Sequence, residues 1–154
     1  MNTTEPKHII LADDDSDHAF LFERILAKTY PNIRLSIARN GEELLQLLQT
    51  AKPAMVFLDL HMPCKNGIEC LTEIRNTPEL KHLPIVVYSS SSKMTDIQRS
   101  YLHQADLYMV KPFHTEHLQN ALQSVLSIDL KDPSHTRNHY FINNRFVPFT
   151  AHNM

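Results

Sequence analysis

An α/β fold, built on a doubly wound sheet of five parallel strands, is what this sequence predicts, and three observations lead there. Near-continuous apolar runs alternate with segments of helical period, five of each. The runs are apolar throughout rather than alternating, as strands buried on both faces are. The polar residues able to carry chemistry fall at the carboxyl ends of those runs, where such sheets bind ligands.

The elements follow in order. His8-Ile9-Ile10-Leu11-Ala12 reads as the first strand and ends in Asp13-Asp14-Asp15. Ser16 is placed to cap a helix carrying Phe20, Leu21, Ile25 and Leu26, which stops before Pro31. Ile33 to Ala38 alternates as a second strand would, and Asn40-Gly41 opens a helix through Leu44, Leu45, Leu47 and Leu48. Ala54-Met55-Val56-Phe57-Leu58 leads into Asp59, and the loop Met62 to Gly67 into a helix with Leu71 and Ile74. Pro84 introduces Ile85-Val86-Val87-Tyr88 and Ser89, with Ser92 or Thr95 as the cap of a helix from Met94 to His103. Leu107-Tyr108-Met109-Val110 ends at Lys111-Pro112-Phe113, a Lys-Pro bond that tolerates the cis form. Thr115 is placed to cap a last helix with Leu118, Leu122, Val125 and Leu126.

A chain of 154 residues is the size of one domain and long enough to bury a real core. A net charge of -2 implies no bulk pull toward nucleic acid or a membrane surface. Cys64 and Cys70 fit neither a disulfide framework nor a zinc site and read as reduced thiols. No apolar stretch approaches the roughly 20 residues that span a bilayer, and Met1 to Lys7 lacks a signal-peptide pattern. A cytoplasmic location is the expectation.

Two carboxylates at one strand edge, a third on a neighbouring strand, a hydroxyl and a lysine point to a divalent-metal and phosphoryl site. Asp14 and Asp59 are the expected direct ligands of Mg2+ or Mn2+, with Asp13 bonding a metal-bound water and the His61 backbone carbonyl completing the set. Asp59, alone at its strand edge, is the expected phosphoacceptor, giving an acyl phosphate. Lys111 would neutralise charge on the phosphoryl oxygens, and Ser89 would donate its hydroxyl to one of them. An aspartate at a strand end is often only a cap or turn residue, and that reading is preferred for Asp15 and Asp17. The scattered histidines His8, His18, His82, His103, His114 and His117 form no ligand pattern and read as surface residues.

Three segments carry a family resemblance. They are Ile9 to Asp15, then Leu58-Asp59-Leu60-His61-Met62-Pro63 with Gly67 beyond it, and Ala105-Asp106 through Lys111-Pro112-Phe113. Spacings of 45 residues from Asp14 to Asp59, 30 to Ser89 and 22 to Lys111 accompany them. From about Lys7 to Ile128 the chain resembles a receiver domain of two-component response regulators, of the single-domain chemotaxis type. The resemblance implies a flavodoxin-like (βα)5 fold with strand order 2-1-3-4-5, a receiver domain over residues 1–128 and a C-terminal extension over 129–154. It implies that Asp59 takes a phosphoryl group from a histidine kinase or histidine phosphotransfer protein, as a signalling module rather than an enzyme. Slow self-catalysed loss of the phosphoryl group is part of that expectation. Ser89 then moves toward the phosphoryl group and Tyr108 turns inward, changing the face that binds a downstream target protein.

The chain departs from the family pattern in three places. Gln104 stands where glycine is usual, Ser90 follows Ser89, and His61 occupies a position that sets how fast the phosphoryl group is hydrolysed. Residues 129–154 are too few for a helix-turn-helix domain, so direct DNA binding is not expected and output passes through protein contacts. The alternative is an intermediate phosphorelay carrier that passes the group to another histidine. An aspartyl-phosphate phosphatase would need a second acid two residues after the nucleophile, where His61 stands. In the extension, Asp132-Pro133-Ser134 reads as a break. Tyr140-Phe141-Ile142 and Arg145-Phe146-Val147 flank Asn143-Asn144 as a short hairpin would. That hairpin, with Phe149, is left three roles: packing on the domain, pairing with a second copy as a homodimer, or recruiting a partner.

Overall fold

The computed structural model describes residues 8–112, 114–130 and 138–148. Met1 to Lys7, Phe113, the Asp132-Pro133-Ser134 break and Phe149 lie outside the described residues. The chain runs β1 (His8–Ala12), α1 (Ser16–Thr29), β2 (Arg34–Ala38), α2 (Gly41–Thr50), β3 (Met55–Leu58) and α3 (Gly67–Arg75). It continues through β4 (Ile85–Ser89), α4 (Met94–Leu102), β5 (Leu107–Val110), α5 (Thr115–Leu126), β6 (His139–Ile142) and β7 (Arg145–Pro148).

The sheet has the order β2-β1-β3-β4-β5-β6-β7. Its first five strands are parallel in the expected order, 2-1-3-4-5. The five-strand expectation is corrected by two further strands: β6 pairs with β5 in parallel and β7 returns antiparallel to β6. Asn143 and Asn144 make the two-residue turn, with φ of 53° and 65°. Two successive left-handed residues match the twist of the flanking strands, and asparagine tolerates that region better than most side chains.

Every residue of β1, β3, β4 and β5 is buried, because helices cover both faces. Alternate strand residues supply the two cores. Ile10, Val56, Val87 and Tyr108 face one core, which includes Leu44, Leu71 and Ile97 from α2, α3 and α4. Ile9, Phe57, Val86 and Met109 face the other, with Phe22 and Leu26 of α1 and Leu122 of α5. Phe141 of β6 belongs to this second core at 1% exposure, so the hairpin is anchored by an aromatic side chain and not only by its ladder.

Three caps differ from the sequence expectation. The α1 cap is Asp15, in keeping with its cap-or-turn reading, with its carboxylate accepting from the Asp17 and His18 amides; Ser16, the other expected cap, is the first helical residue. The α4 N-cap is Lys93 with no side-chain bond, rather than Ser92 or Thr95. The α5 N-cap is His114, also without one, and Thr115 lies inside the helix. Asn40 caps α2 as expected. Asn66 and Glu69 form a full capping box on α3. The described residues hold no cis peptide bond, so Lys111–Pro112 is trans. Gln104 takes the left-handed conformation itself at φ 71°, with its carbonyl held by Arg75 Nε at 2.9 Å. The missing glycine is thus offset by a side-chain hydrogen bond rather than by a looser turn.

Gly67 starts α3 directly behind the carboxyl end of β3. A Cβ there would lie 2.4 Å from the Asp59 carbonyl oxygen and 2.7 Å from Leu60 Cα, atoms of the main chain that cannot swing aside. Gly67→Ala is therefore expected to destabilise by about 1–3 kcal/mol through forced backbone movement. Thermal denaturation followed by circular dichroism measures it, and an unchanged Tm would show that the loop yields freely.

Candidate functional site

The carboxyl ends of β1, β3, β4 and β5 converge on one spot. Parallel pairing aligns Ala12 with Leu58 and Ser89 with Val110, so the residues following each strand emerge side by side. Main-chain bonds hold them there: Asp13 N donates to Ala38 O, Asp59 N to Ala12 O, and Lys111 N to Ser89 O.

Asp13, Asp59, Ser89 and Lys111 are all buried, at 1%, 6%, 0% and 8% exposure, whereas Asp14 is exposed. Lys111 Nζ lies 2.8 Å from Asp13 Oδ2 and 3.1 Å from Asp59 Oδ2. The approach to Asp13 is close but poorly directed, so that buried oxygen has an ion-pair partner and no well-formed hydrogen bond. Below the lysine lies the Tyr88 ring, its centroid 5.4 Å from Nζ. Tyr88 in turn packs edge-on against Phe22 and Phe57, with centroids 5.7 Å and 6.0 Å away. This aromatic platform fixes the floor of the site and supports the ammonium through the ring face.

Electrostatics define which ligand such a site suits. Burial pushes the Asp59 carboxyl pKa up, the Lys111 ammonium opposes that rise, and the Asp13 charge adds to it. Burial likewise disfavours charge on Lys111, but its contacts with Asp13 and Asp59 prevail and hold its pKa above the ordinary lysine value. Asp13, Asp14 and Asp59 bring carboxylate oxygens within 4.8 Å of one another. Against three negative charges Lys111 supplies one positive, which leaves a deficit of two. A hard oxygen donor set with that deficit fits a divalent cation such as Mg2+ or Mn2+.

His61, Ser89 and Tyr108 lie around this centre. The His61 amide faces Asp59 Oδ1 at 3.4 Å. Ser89 Oγ accepts from the Ser91 amide at 3.1 Å. Tyr108 is fully enclosed, and its hydroxyl donates to Ser91 O at 2.8 Å. Burial pushes its pKa up to about 12, so it is a hydrogen-bond donor at neutral pH. Asp15 and Asp17 stay out of the cluster, Asp15 as the α1 cap. Cys64 and Cys70 are free thiols, exposed and buried respectively.

Sequence reasoning missed several supports. Nothing in the pattern identified Tyr88 as the floor beneath Lys111, because its strand position says only that it is buried. Asp106 accepts from Arg75 Nη2 at 3.0 Å and from the Ile85 amide at 2.8 Å, tying α3 to the starts of β4 and β5. An acidic residue just before an apolar strand was the available signal.

The chain matches the response regulator receiver domain family over residues 9–123. The response regulator Rcp1 of Synechocystis sp. is 30% identical over 133 residues, covering 82% of this chain and 90% of that protein. The Mn2+-bound crystal form of Rcp1 superposes with a TM-score of 0.73 at 28% identity, covering 80% of this chain and 97% of that one. The phosphorylated cyanobacterial phytochrome response regulator RcpA gives a TM-score of 0.73 at 29% identity, with 77% and 90% covered. Among the described residues, no helix is long and apolar enough to cross a membrane.

The raised pKa of Asp59 has a consequence for stability. Below the ordinary carboxylate range, Asp59 is protonated in both folded and unfolded states and has no differential effect. As pH rises through that range the unfolded chain releases its proton first, so the folded state is progressively disfavoured. Asp59→Asn is expected to raise Tm at neutral pH in metal-free buffer, and the gain should shrink as pH falls below the carboxylate range. Thermal melts across that interval test it; a variant less stable than wild type at neutral pH would mean that Lys111 needs both partners.

Proposed function

This chain belongs to the response regulator receiver domain family, and from that premise we propose that Asp59 is its phosphoacceptor, serving a phosphohistidine donor on a kinase or phosphotransfer protein. The observation that carries the reading is the burial of one lysine between two carboxylates at the carboxyl ends of central strands. In the transfer, an Asp59 oxygen forms a bond to phosphorus while the P–N bond breaks, and the donor imidazole leaves with the bonding pair. Lys111 opposes the rise that burial imposes on the Asp59 carboxyl and then meets charge on the phosphoryl oxygens.

Asp13, Asp14 and Asp59 are the residues that would hold a divalent cation, with the His61 backbone carbonyl as a further ligand and Asp13 acting through water. The cation supplies charge neutralisation on the phosphoryl oxygens. Ser89 is the hydroxyl that turns to the phosphoryl group, and it must leave the Ser91 amide to do so. Tyr108 registers that change, since its hydroxyl is bonded to Ser91 O. Output passes to a downstream target protein; onward relay to another histidine is the second reading, which the exposed approach at Asp14 also accommodates.

Incubation with acetyl phosphate and Mg2+, followed by intact mass, is the direct test. Wild type is expected to gain one phosphoryl mass only with the metal, and Asp59→Ala none. Equal labelling of the variant would place the acceptor elsewhere. His61, beside the acceptor, is assigned to phosphoryl lifetime: His61→Asn should change the dephosphorylation rate several-fold, and an unaltered rate would remove that role.

A further inference from the structure

The hairpin β6–β7 is held to the domain in an uneven way. Its register with β5 is the single pairing Met109↔Phe141, whereas β4 and β5 share four such pairs. Phe141 is buried, but the beginning of β6 is tied down through a side chain. Tyr101 of α4 reaches between the strands: its hydroxyl accepts from the Tyr108 amide at 3.0 Å and donates to the His139 carbonyl. One phenol thus adds a side-chain tie between β5 and the start of β6. His139 also leaves its buried Nδ1 without a partner, so this end of the hairpin carries an unsatisfied group.

The same phenol is one step from the candidate switch. Ser89 Oγ accepts from Ser91 N, Ser91 O accepts from the Tyr108 hydroxyl, and the Tyr108 amide donates to Tyr101. Ser91 Oγ further donates to Asp96 on α4, the helix that carries Tyr101. Movement of Ser89 therefore reaches Tyr101 from two sides: through the β5 residue it accepts from and through the helix it sits on.

We propose that the β6–β7 hairpin is an autoinhibitory strap over the β5 edge, latched by the Tyr101 hydroxyl and loosened when Asp59 is phosphorylated. The strap occupies the main-chain groups of β5 that no other strand of the described sheet pairs. Loosening begins at His139, where one hydrogen bond and an unsatisfied nitrogen compete, while Phe141 keeps the hairpin from leaving altogether. The proposal rests on Asp59 being the acceptor, and linkage requires that a latch weakened by phosphorylation favours phosphorylation when it is absent.

Hydrogen–deuterium exchange on the full chain tests it, using wild type and Tyr101→Phe, each with and without acetyl phosphate and Mg2+, with intact mass taken on every sample. Tyr101→Phe keeps the ring and removes the latch. It should speed exchange at residues 139–142 by about tenfold, the factor one net hydrogen bond represents, and leave β1 and β3 unchanged. Phosphorylated wild type should show the same local rise, and phosphorylation of Tyr101→Phe should add little to it, which a merely stabilising tyrosine would not produce. A phosphorylated wild type with unaltered exchange at 139–142 overturns the strap and leaves the acceptor reading standing. A wild type that gains no phosphoryl mass overturns the acceptor reading, and the strap with it.

Discussion

One buried ammonium between two carboxylates organises this protein. Without Lys111, Asp13 and Asp59 would be like charges enclosed by apolar strands, an arrangement that burial and mutual repulsion both oppose. With it, both carboxylates sit against a positive charge, yet the cluster still carries an excess of formal negative charge. The site is therefore balanced against a cation rather than complete without one. The rest of the sheet serves that balance. The Lys111 amide is locked to the Ser89 carbonyl, the Tyr88 ring supports the ammonium from below, and Phe22 and Phe57 brace Tyr88.

The two sides of the sheet then do different work. On the side of α1 and α5, the Phe22, Phe57 and Tyr88 cluster is tightly packed and leaves the site floor little room to move. On the side of α4, contacts join side-chain hydroxyls to main-chain amides, a main-chain carbonyl and a carboxylate: Ser89 to Ser91, Ser91 to Tyr108 and Asp96, Tyr108 to Tyr101. Hydrogen bonds of this kind exchange partners at small net cost, whereas interlocked rings do not. The surroundings of Asp59 are thus soft toward α4 and stiff toward α1.

Much of this was legible beforehand, for identifiable reasons. Strands buried on both faces leave continuous apolar runs, so β1, β3, β4 and β5 announced themselves, and the carboxyl-end rule placed Asp13, Asp59, Ser89 and Lys111 on one rim. Helix starts were less legible. Asp15, Ser16, Ser92, Thr95 and Thr115 are all competent caps by type, and which one takes the role depends on backbone angles that composition does not fix. Tyr108 is fully enclosed because α4 and the hairpin cover the side a five-strand sheet would leave open, which no local pattern shows.

By itself the sequence determined the doubly wound parallel sheet, its five-helix cover and the identity of the residues that end its strands, since those follow from local periodicity and from which side chains tolerate burial. It also marked the C-terminal hairpin through Asn143-Asn144 between two aromatic runs. Only the tertiary structure decided where that hairpin goes, that Tyr88 lies beneath Lys111, and that Tyr101 bridges β5 to β6. Each of those joins residues remote in the chain through a single contact, and a single long-range contact leaves no period in the sequence to read.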